Sequence, residues 1–250
     1  MPSSGRWHPD AEGGDDDVTH SSDRARGWEG HHPVEATDLF VPFLRDNDFD
    51  VRIEDGPGVY ADDDLMRGVD LVVQSMTMSE ADRESIQGLR RAVAAGTGLA
   101  GWHGGIVDSY RHDADYLQLV GGQFAAHPSK DPGDRIGDGT DVFLDHRIEL
   151  TDLGRTHQIM SGIVDFSLTT EQYWVLHDDL NDVLATTTHP VRVDEPWHRP
   201  IVSPAVWTRA WGEGRVFVAT PGHDPSVLAD DNVRTIIERG LLWASRRASV

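Results

Sequence analysis

The chain has 250 residues, enough for one large domain or two small ones with a sizeable core. Its formal net charge of −21 at pH 7 argues against a nucleic acid partner, because binding phosphates requires a basic surface. The absence of cysteine excludes disulfides, thiolate catalysis and cysteine-ligated metal sites. No apolar run approaches the roughly 20 residues of a membrane helix, and residues 1–17 lack the apolar core of a signal peptide. We therefore expect a cytoplasmic protein that acts away from membranes.

The amino-terminal residues differ in composition from the rest of the chain. Residues 1–26 are rich in Gly, Ser, Asp and Arg and have almost no apolar pairs, which predicts a disordered or atypical segment. Residues 27–247 contain no internal repeat and no linker long enough to separate domains, so we predict a single domain there.

Helix and strand patterns alternate through the first half of this domain. The predicted elements are an amphipathic helix over 36–44, strands over 51–53 and 69–73, a helix that begins at Ser79 and buries Ile86, Leu89 and Val93, and a strand over 99–103. Such alternation with short loops predicts an α/β fold with a mostly parallel sheet and helices on both faces.

The second half is richer in strand patterns. We predict extended segments over 123–128, 142–150, 171–176, 183–187, 202–207 and 215–219. A long closing helix is expected after Asp224 and Pro225, with one apolar face formed by Val233, Ile236, Ile237, Leu241 and Ala244.

The stretch Gly98–Gly105 joins a strand pattern to a glycine-rich turn. In α/β hydrolases a similar turn lifts one side chain out of the sheet at the carboxyl end of a strand, and here that residue is His103. The alternative is a tight loop that carries a surface histidine. We expect the apex to bury little, so that replacing His103 by Gln leaves stability almost unchanged.

Short motifs follow one another between residues 27 and 245. They are Gly27-Trp28-Glu29-Gly30-His31, Gly101-Trp102-His103-Gly104-Gly105, Gly121-Gly122-Gln123-Phe124 with His127-Pro128, Glu171-Gln172-Tyr173-Trp174, Trp207-Thr208-Arg209, and 212–217 with Pro221-Gly222-His223. In this order they resemble the motifs of the trehalose-utilisation (ThuA-like) family. The resemblance implies a class I glutamine amidotransferase-like, flavodoxin-like, doubly wound α/β fold and a link to sugar catabolism. Because His103 stands where glutaminases of that superfamily need a cysteine, glutamine amidotransfer by the thiolate route is excluded.

The chain departs from the family pattern before Trp28. A fold of this family should begin with an apolar strand, but residues 19–26 are polar and charged, so the first strand is predicted to be defective. A shift of reading frame upstream of Gly27 is our hypothesis for this replacement, and resequencing the region tests it.

The candidate catalytic residues are His103, Glu171, His223 and His127. The three histidines lie at or just beyond the ends of predicted strands and Glu171 at the start of one, so topology predicts that they converge. A carboxylate beside a histidine fixes its tautomer and raises its basicity. This chemistry suits proton abstraction next to a carbonyl or the attack of water on a glycosidic bond. Taken singly, each histidine has a structural role as its alternative.

No cofactor is predicted from the sequence, but a divalent metal remains an alternative. His103, His127, Glu171 and His223 offer a donor set that suits Zn²⁺ or a similar ion. The sequence has no His-Glu-x-x-His motif and no close ligand pair on one element, which weakens this interpretation.

Aromatic and polar residues near the motifs are candidates for binding substrate, because aromatic faces stack on sugar rings. The candidate substrate-binding residues are Trp28, Glu29, His31, Trp102, Tyr173 and Arg209. Core packing is the alternative for the aromatic residues, and pairing with a carboxylate is the alternative for Arg209.

Three classes of function fit these observations. The first is an enzyme that hydrolyses or isomerises a disaccharide, keto-sugar or related carbohydrate, the second a non-catalytic carbohydrate-binding or sensing module, and the third a structural partner. The clustering of ionisable residues favours the enzyme. The expected partner is a small-molecule carbohydrate, with no nucleic acid and no membrane, and homo-oligomerisation is left open.

Overall fold

A computed structural model describes residues 29–248 and shows an α/β fold. The described strands are β1 Leu71–Gln74, β2 Gly98–Trp102, β3 Gly122–Ala126, β4 Phe143–Leu150, β5 Phe166–Glu171, β6 Trp174–His177, β7 Asp182–His189, β8 Ile201–Trp211 and β9 Gly214–Ala219. The described α-helices are α1 Pro33–Asp38, α2 Val41–Asp46, α3 Asp63–Arg67, α4 Arg83–Ala94, α5 Gly104–Val107, α6 Ala114–Val120, α7 Pro225–Leu228 and α8 Asp231–Ala244. The predicted amino-terminal segment of residues 1–26 lies outside the described residues, as does Trp28.

The larger sheet is mixed. Its strand order is β1-β2-β9-β8-β7-β4-β5, and β3 pairs separately with β6. Only the pairs β1–β2 and β2–β9 are parallel among the described strands, and the first of them was predicted. The pair β8–β9 is antiparallel because the Gly212–Glu213 turn reverses the chain directly, and β4–β5, β4–β7 and β7–β8 are antiparallel as well. The doubly wound, flavodoxin-like arrangement stays a prediction.

The sheet curls back on itself. β4 takes part in both of its halves, since Glu149 and Leu150 pair with β7 while residues 143–148 pair with β5. In a flat sheet with strands about 4.8 Å apart, β5 would lie about 24 Å from β2, five strand spacings away. Yet Glu171 at the end of β5 approaches His103, the residue after β2, to 3.2 Å. The curl therefore brings distant strands to one site.

Apolar layers cover both faces of the parallel strands. Neighbouring residues of β9 point to opposite faces, so Val216 and Val218 pack with the layer that contains α4, and Phe217 packs with the layer that contains α8. The helix α8 packs closely on β9 because residue 240 is glycine. A Cβ atom there would lie 2.3 Å from the Phe217 ring.

Several predicted elements differ from the observed ones at their ends. The predicted helix over 36–44 is divided into α1 and α2, since Pro42 lies in the first turn of the second helix. Asp82, rather than Ser79, caps α4, because its carboxylate accepts a hydrogen bond from the N–H of Ser85. The closing helix is likewise divided, with Asp230 capping α8. The predicted strand over 171–176 is interrupted between β5 and β6.

The predicted strand over 51–53 is not formed. Among residues 29–248 no strand lies beside it, and an isolated extended segment leaves its backbone groups without partners. Residues 48–54 and the strand β1 both line a cavity of about 650 Å³. The predicted defect of the first strand concerns residues that lie outside the described part of the chain.

Within residues 29–248, no helix is long and apolar enough to cross a bilayer.

Replacing Gly240 by Ala tests the packing of α8 on β9. We expect the free energy of unfolding to fall by about 1–3 kcal/mol, because the added methyl group overpacks the buried Phe217 ring. Chemical denaturation measures this change. The matched control is Gly133→Ala, where a Cβ atom meets no atom within 4 Å. Equal stability of Gly240→Ala and the wild type would contradict the close packing.

Candidate functional site

The site begins at the turn between β2 and α5. His103 follows β2 and adopts φ 49° and ψ −145°, a backbone conformation that is strained for a residue with a side chain. Its N–H donates to the carbonyl oxygen of Ala219 at 2.7 Å, and its Nδ1 contacts the carbonyl oxygen of Thr220 at 2.8 Å. Because a carbonyl can only accept, Nδ1 of His103 carries the hydrogen. The predicted turn is therefore present, and the end of β9 fixes its ring.

The side chain of His103 is buried, not exposed. The residue is only 1 % accessible, and its ring stacks on Tyr173 with 4.0 Å between the centroids. The expectation that the apex buries little was wrong, because the curl of the sheet places β5 and the following residues over the turn. A His103→Gln variant therefore changes packing as well as chemistry.

The carboxylate of Glu171 lies among histidines. Its Oε2 is 3.2 Å from Nε2 of His103 and 3.2 Å from Nδ1 of His223, and its Oε1 is 3.9 Å from Nε2 of His127. Glu171 is at the end of β5 rather than at the start of a strand. The structure thus brings together the residues that the sequence singled out for catalysis.

A fourth histidine, His31, lies beside this arrangement. Its ring lies 4.6 Å from that of His103 and 5.2 Å from that of His223, measured between centroids, and its Nδ1 is 2.9 Å from Oγ1 of Thr77. One ligand atom from each of His31, His103, Glu171 and His223 lies within 4.8 Å of the others. We call these four residues the His–Glu cluster. The metal alternative drawn from the sequence had His127 in place of His31.

Glycine at position 104 makes room for His31. A Cβ atom on Gly104 would lie 2.7 Å from Cε1 of the His31 ring. Glycine at this position therefore allows the turn after β2 to lie close to His31, although the two segments are far apart in sequence.

Burial and mutual charge govern protonation in the cluster. Burial, with smaller contributions from His103 and His223, lowers the pKa of His31 to about 3. Burial also lowers the pKa of His103, against the opposing effect of Glu171. For Glu171, burial raises the pKa, but the close approach of His103 and His223, whose protonated forms attract the carboxylate, outweighs it, so the net pKa is lowered. At neutral pH the site therefore combines an ionised carboxylate with neutral His31 and His103.

The remaining predicted binding residues have different surroundings. Tyr173 is buried and supports the His103 ring. Trp102 is 3 % accessible and packs on Phe40, as the core-packing alternative predicted, and its role in substrate binding stays a prediction. Glu29 opens a short 3₁₀ helix that ends at His31, and Trp28 lies outside the described residues.

Arg209 is a structural residue. It is buried on β8, where its Nη1 pairs with the carboxylate of Asp178 at 3.1 Å and contacts Oδ1 of Asn181. The carboxylate-pairing alternative therefore applies, and a substrate-binding role for Arg209 stays a prediction.

Sequence reasoning missed Thr77, Thr220 and Phe143. Thr77 and the carbonyl group of Thr220 hold the rings of His31 and His103, and the ring of Phe143 lies 5.1 Å from that of His223. Thr77 and Thr220 follow β1 and β9, whose carboxyl ends meet at the same edge as that of β2. Their positions after neighbouring parallel strands were a usable signal.

The fold and the cluster together define an α/β protein with a histidine-rich polar site at the carboxyl edge of its parallel strands. The model of the ThuA family, described as trehalose utilisation, matches residues 20–244, and the chain belongs to this family. Among curated proteins, none is significantly similar to the chain.

Solved structures support the fold. A ThuA-like protein from Bacteroides uniformis ATCC 8492 is 13 % identical, with 91 % of this chain and 94 % of that chain covered and a TM-score of 0.62. A cytoplasmic protein from Salmonella typhimurium LT2 is 14 % identical, with 83 % and 86 % covered and a TM-score of 0.56. A ThuA-like protein from Parabacteroides merdae ATCC 43184 is 17 % identical, with 70 % of each chain covered and a TM-score of 0.53. At these identities the likeness concerns the fold alone.

His189 provides a test of how burial acts on a histidine outside the cluster. Its Nε2 donates to the carbonyl oxygen of Tyr173, and burial lowers its pKa to about 4. Since the unfolded pKa is about 6.5, the neutral buried ring contributes stability above that value, which is lost as the pH falls toward 4. Chemical denaturation between pH 7 and 4 measures this. The free energy of unfolding of His189→Gln should fall less steeply with decreasing pH than that of the wild type, by up to about 1.4 kcal/mol per pH unit.

The control for this prediction is His198→Gln, because His198 is exposed. It should follow the wild-type pH dependence. If His189→Gln follows that dependence as well, His189 does not limit stability at acidic pH.

Proposed function

We propose that the chain is an enzyme that hydrolyses or isomerises a small carbohydrate, such as a disaccharide or keto-sugar, by polar chemistry at the His–Glu cluster. The observation that supports this most is the buried carboxylate of Glu171, which lies within 4 Å of three histidines. Concentrations of ionisable groups with shifted pKa values are typical of functional sites. The carbohydrate class comes from the description of the family, trehalose utilisation.

Exposure divides the roles among the histidines. The accessible fraction of the side chain is 32 % for His127, 11 % for His223 and 2 % for His103. A substrate therefore reaches His127 and His223 before it reaches His103. We assign proton transfer to His127 and His223, and we assign His103 to positioning Glu171 from behind.

The ionised carboxylate of Glu171 lies beside both histidines that we assign to proton transfer. A histidine that removes a proton next to a keto-sugar carbonyl, or from an attacking water, becomes an imidazolium. The carboxylate stabilises that charge, in the way the aspartate of a catalytic triad does. The same pair can return the proton to a leaving oxygen or to carbon, which covers both hydrolysis and isomerisation.

The proposed setting is the cytoplasm. One structural relative is titled a cytoplasmic protein, and the acidic, cysteine-free composition is compatible with that compartment. A carbohydrate-binding module without catalysis is the competing function, and the experiment below separates the two.

Glu171→Gln tests the enzymatic proposal, because it removes the charge and keeps the volume. We expect kcat on a panel of disaccharides and 3-keto-sugars to fall by about 100-fold or more, while KM changes little. Glu213→Gln is the matched control, since Glu213 lies exposed in the turn at the opposite end of β9 and should keep wild-type kinetics. Full activity of Glu171→Gln contradicts the proposal. Binding of panel sugars by a wild-type protein that turns none over supports the binding module instead.

A further inference from the structure

We propose that the His–Glu cluster is a binding site for one divalent transition-metal ion, with His31, His103, Glu171 and His223 as ligands. The inference deepens the proposed function, since it rests on the same reaction centre, but binding of the ion itself requires no substrate. Three observations support it: the convergence of the ligand atoms, the orientation of their lone pairs, and the contacts that hold two of the rings from outside.

The four ligand atoms are nearly close enough to share one ion. They lie within 4.8 Å of one another. In a tetrahedral zinc site with bonds of about 2.1 Å, the ligand atoms lie about 3.4 Å from one another. The most widely separated atoms of the cluster therefore need to approach by about 1.4 Å, which side-chain rotation can supply.

The lone pairs in the cluster face each other. Nδ1 of His103 donates to the carbonyl of Thr220, so in the neutral ring Nε2 directs its lone pair at Oε2 of Glu171, 3.2 Å away. Nδ1 of His223 lies 3.2 Å from the same oxygen, and it is buried without a hydrogen bond of good geometry among the described residues. A single proton can lie between Oε2 and only one of these two ring nitrogens. A divalent cation between the atoms satisfies all of them at once.

The outer contacts of the rings are those of metal-binding histidines. In such sites, the ring nitrogen that does not bind the ion is hydrogen-bonded to a carbonyl, a carboxylate or another polar group, which fixes the ring. Nδ1 of His103 has the carbonyl of Thr220 and Nδ1 of His31 has the hydroxyl of Thr77. Both partners follow strands of the sheet, so the rings are held by the most regular part of the fold.

The donor set indicates the class of ion. Three imidazoles and one carboxylate favour Zn²⁺ and its first-row neighbours over Mg²⁺ and Ca²⁺, which prefer oxygen ligands. The ion would act as a Lewis acid on a substrate carbonyl or lower the pKa of a bound water. His127 lies outside the four ligands, beside Glu171, so with the ion bound proton transfer belongs to His127 alone and His223 acts as a ligand.

The test is metal binding by the full chain in the absence of sugar. The protein is stripped with a chelator, dialysed and titrated separately with ZnCl₂, MnCl₂ and MgCl₂, and its metal content is then measured by mass spectrometry. We expect one equivalent of Zn²⁺ or Mn²⁺ and much weaker binding of Mg²⁺. Glu171→Gln and His223→Gln should each weaken binding by at least 10-fold. Less than half an equivalent of every transition metal, or unchanged affinity in both variants, overturns the proposal.

Two further variants separate ligation from folding. Thr77→Val removes the hydroxyl behind His31 and leaves all four ligands in place, so affinity should fall by about 10- to 100-fold with an unchanged circular dichroism spectrum. His198→Gln, an exposed histidine outside the cluster, should bind as the wild type does. If His198→Gln weakens binding as much as His223→Gln, the ion is not held by the cluster.

Activity measurements distinguish the two proposals. A protein that binds one equivalent of metal but turns over no panel sugar supports the metal site and contradicts the carbohydrate reaction. A stripped protein that binds no metal yet keeps full turnover supports the carbohydrate enzyme and overturns the metal site.

Discussion

The buried carboxylate of Glu171 is the constraint on which the site depends. A carboxylate withdrawn from water is costly unless other groups compensate it, and here the compensating groups come from separate segments: His103 after β2, His223 after β9 and His127 after β3. The curl of the sheet makes this possible, because β4 bends between its pairing with β7 and its pairing with β5. The antiparallel half of the sheet therefore belongs to the site, although the parallel half supplies the strained turn.

The local parts of the site could be predicted from the sequence. Glycines around His103 and apolar strand patterns on either side of the turn are short-range signals, and the structure has the turn there with a positive φ at His103. Convergence at the carboxyl edge followed from the alternation of strands and helices. These signals could not predict that the turn is buried. It lies beneath Glu171 and Tyr173, and no short-range pattern indicates that β5 folds over it.

Other parts of the sequence interpretation were incomplete for the same reason. Trp102 was assigned to substrate binding because it lies in a glycine-rich stretch, and the structure has it as the last residue of β2 with its ring against Phe40. His31 was assigned to substrate binding and His127 to the metal alternative. Which of these two histidines lies nearer to Glu171 and His103 depends on the path of residues 29–38 over the sheet. That path is set by tertiary contacts such as the one between Gly104 and the His31 ring, which a pattern of spacing does not contain.

The placement of His31 has a consequence for the fold as well as for the chemistry. Residues 29–31 form a short 3₁₀ helix, too small to be stable alone, and His31 attaches it to Thr77 and to the cluster. An ion that binds the folded cluster and not the unfolded chain would add about 2.7 kcal/mol of stability at a free concentration 100 times its dissociation constant. Because the ligands extend from position 31 to position 223, that stabilisation would act on nearly the whole described chain. The ion would then fix both the reaction centre and the position of the amino-terminal 3₁₀ helix.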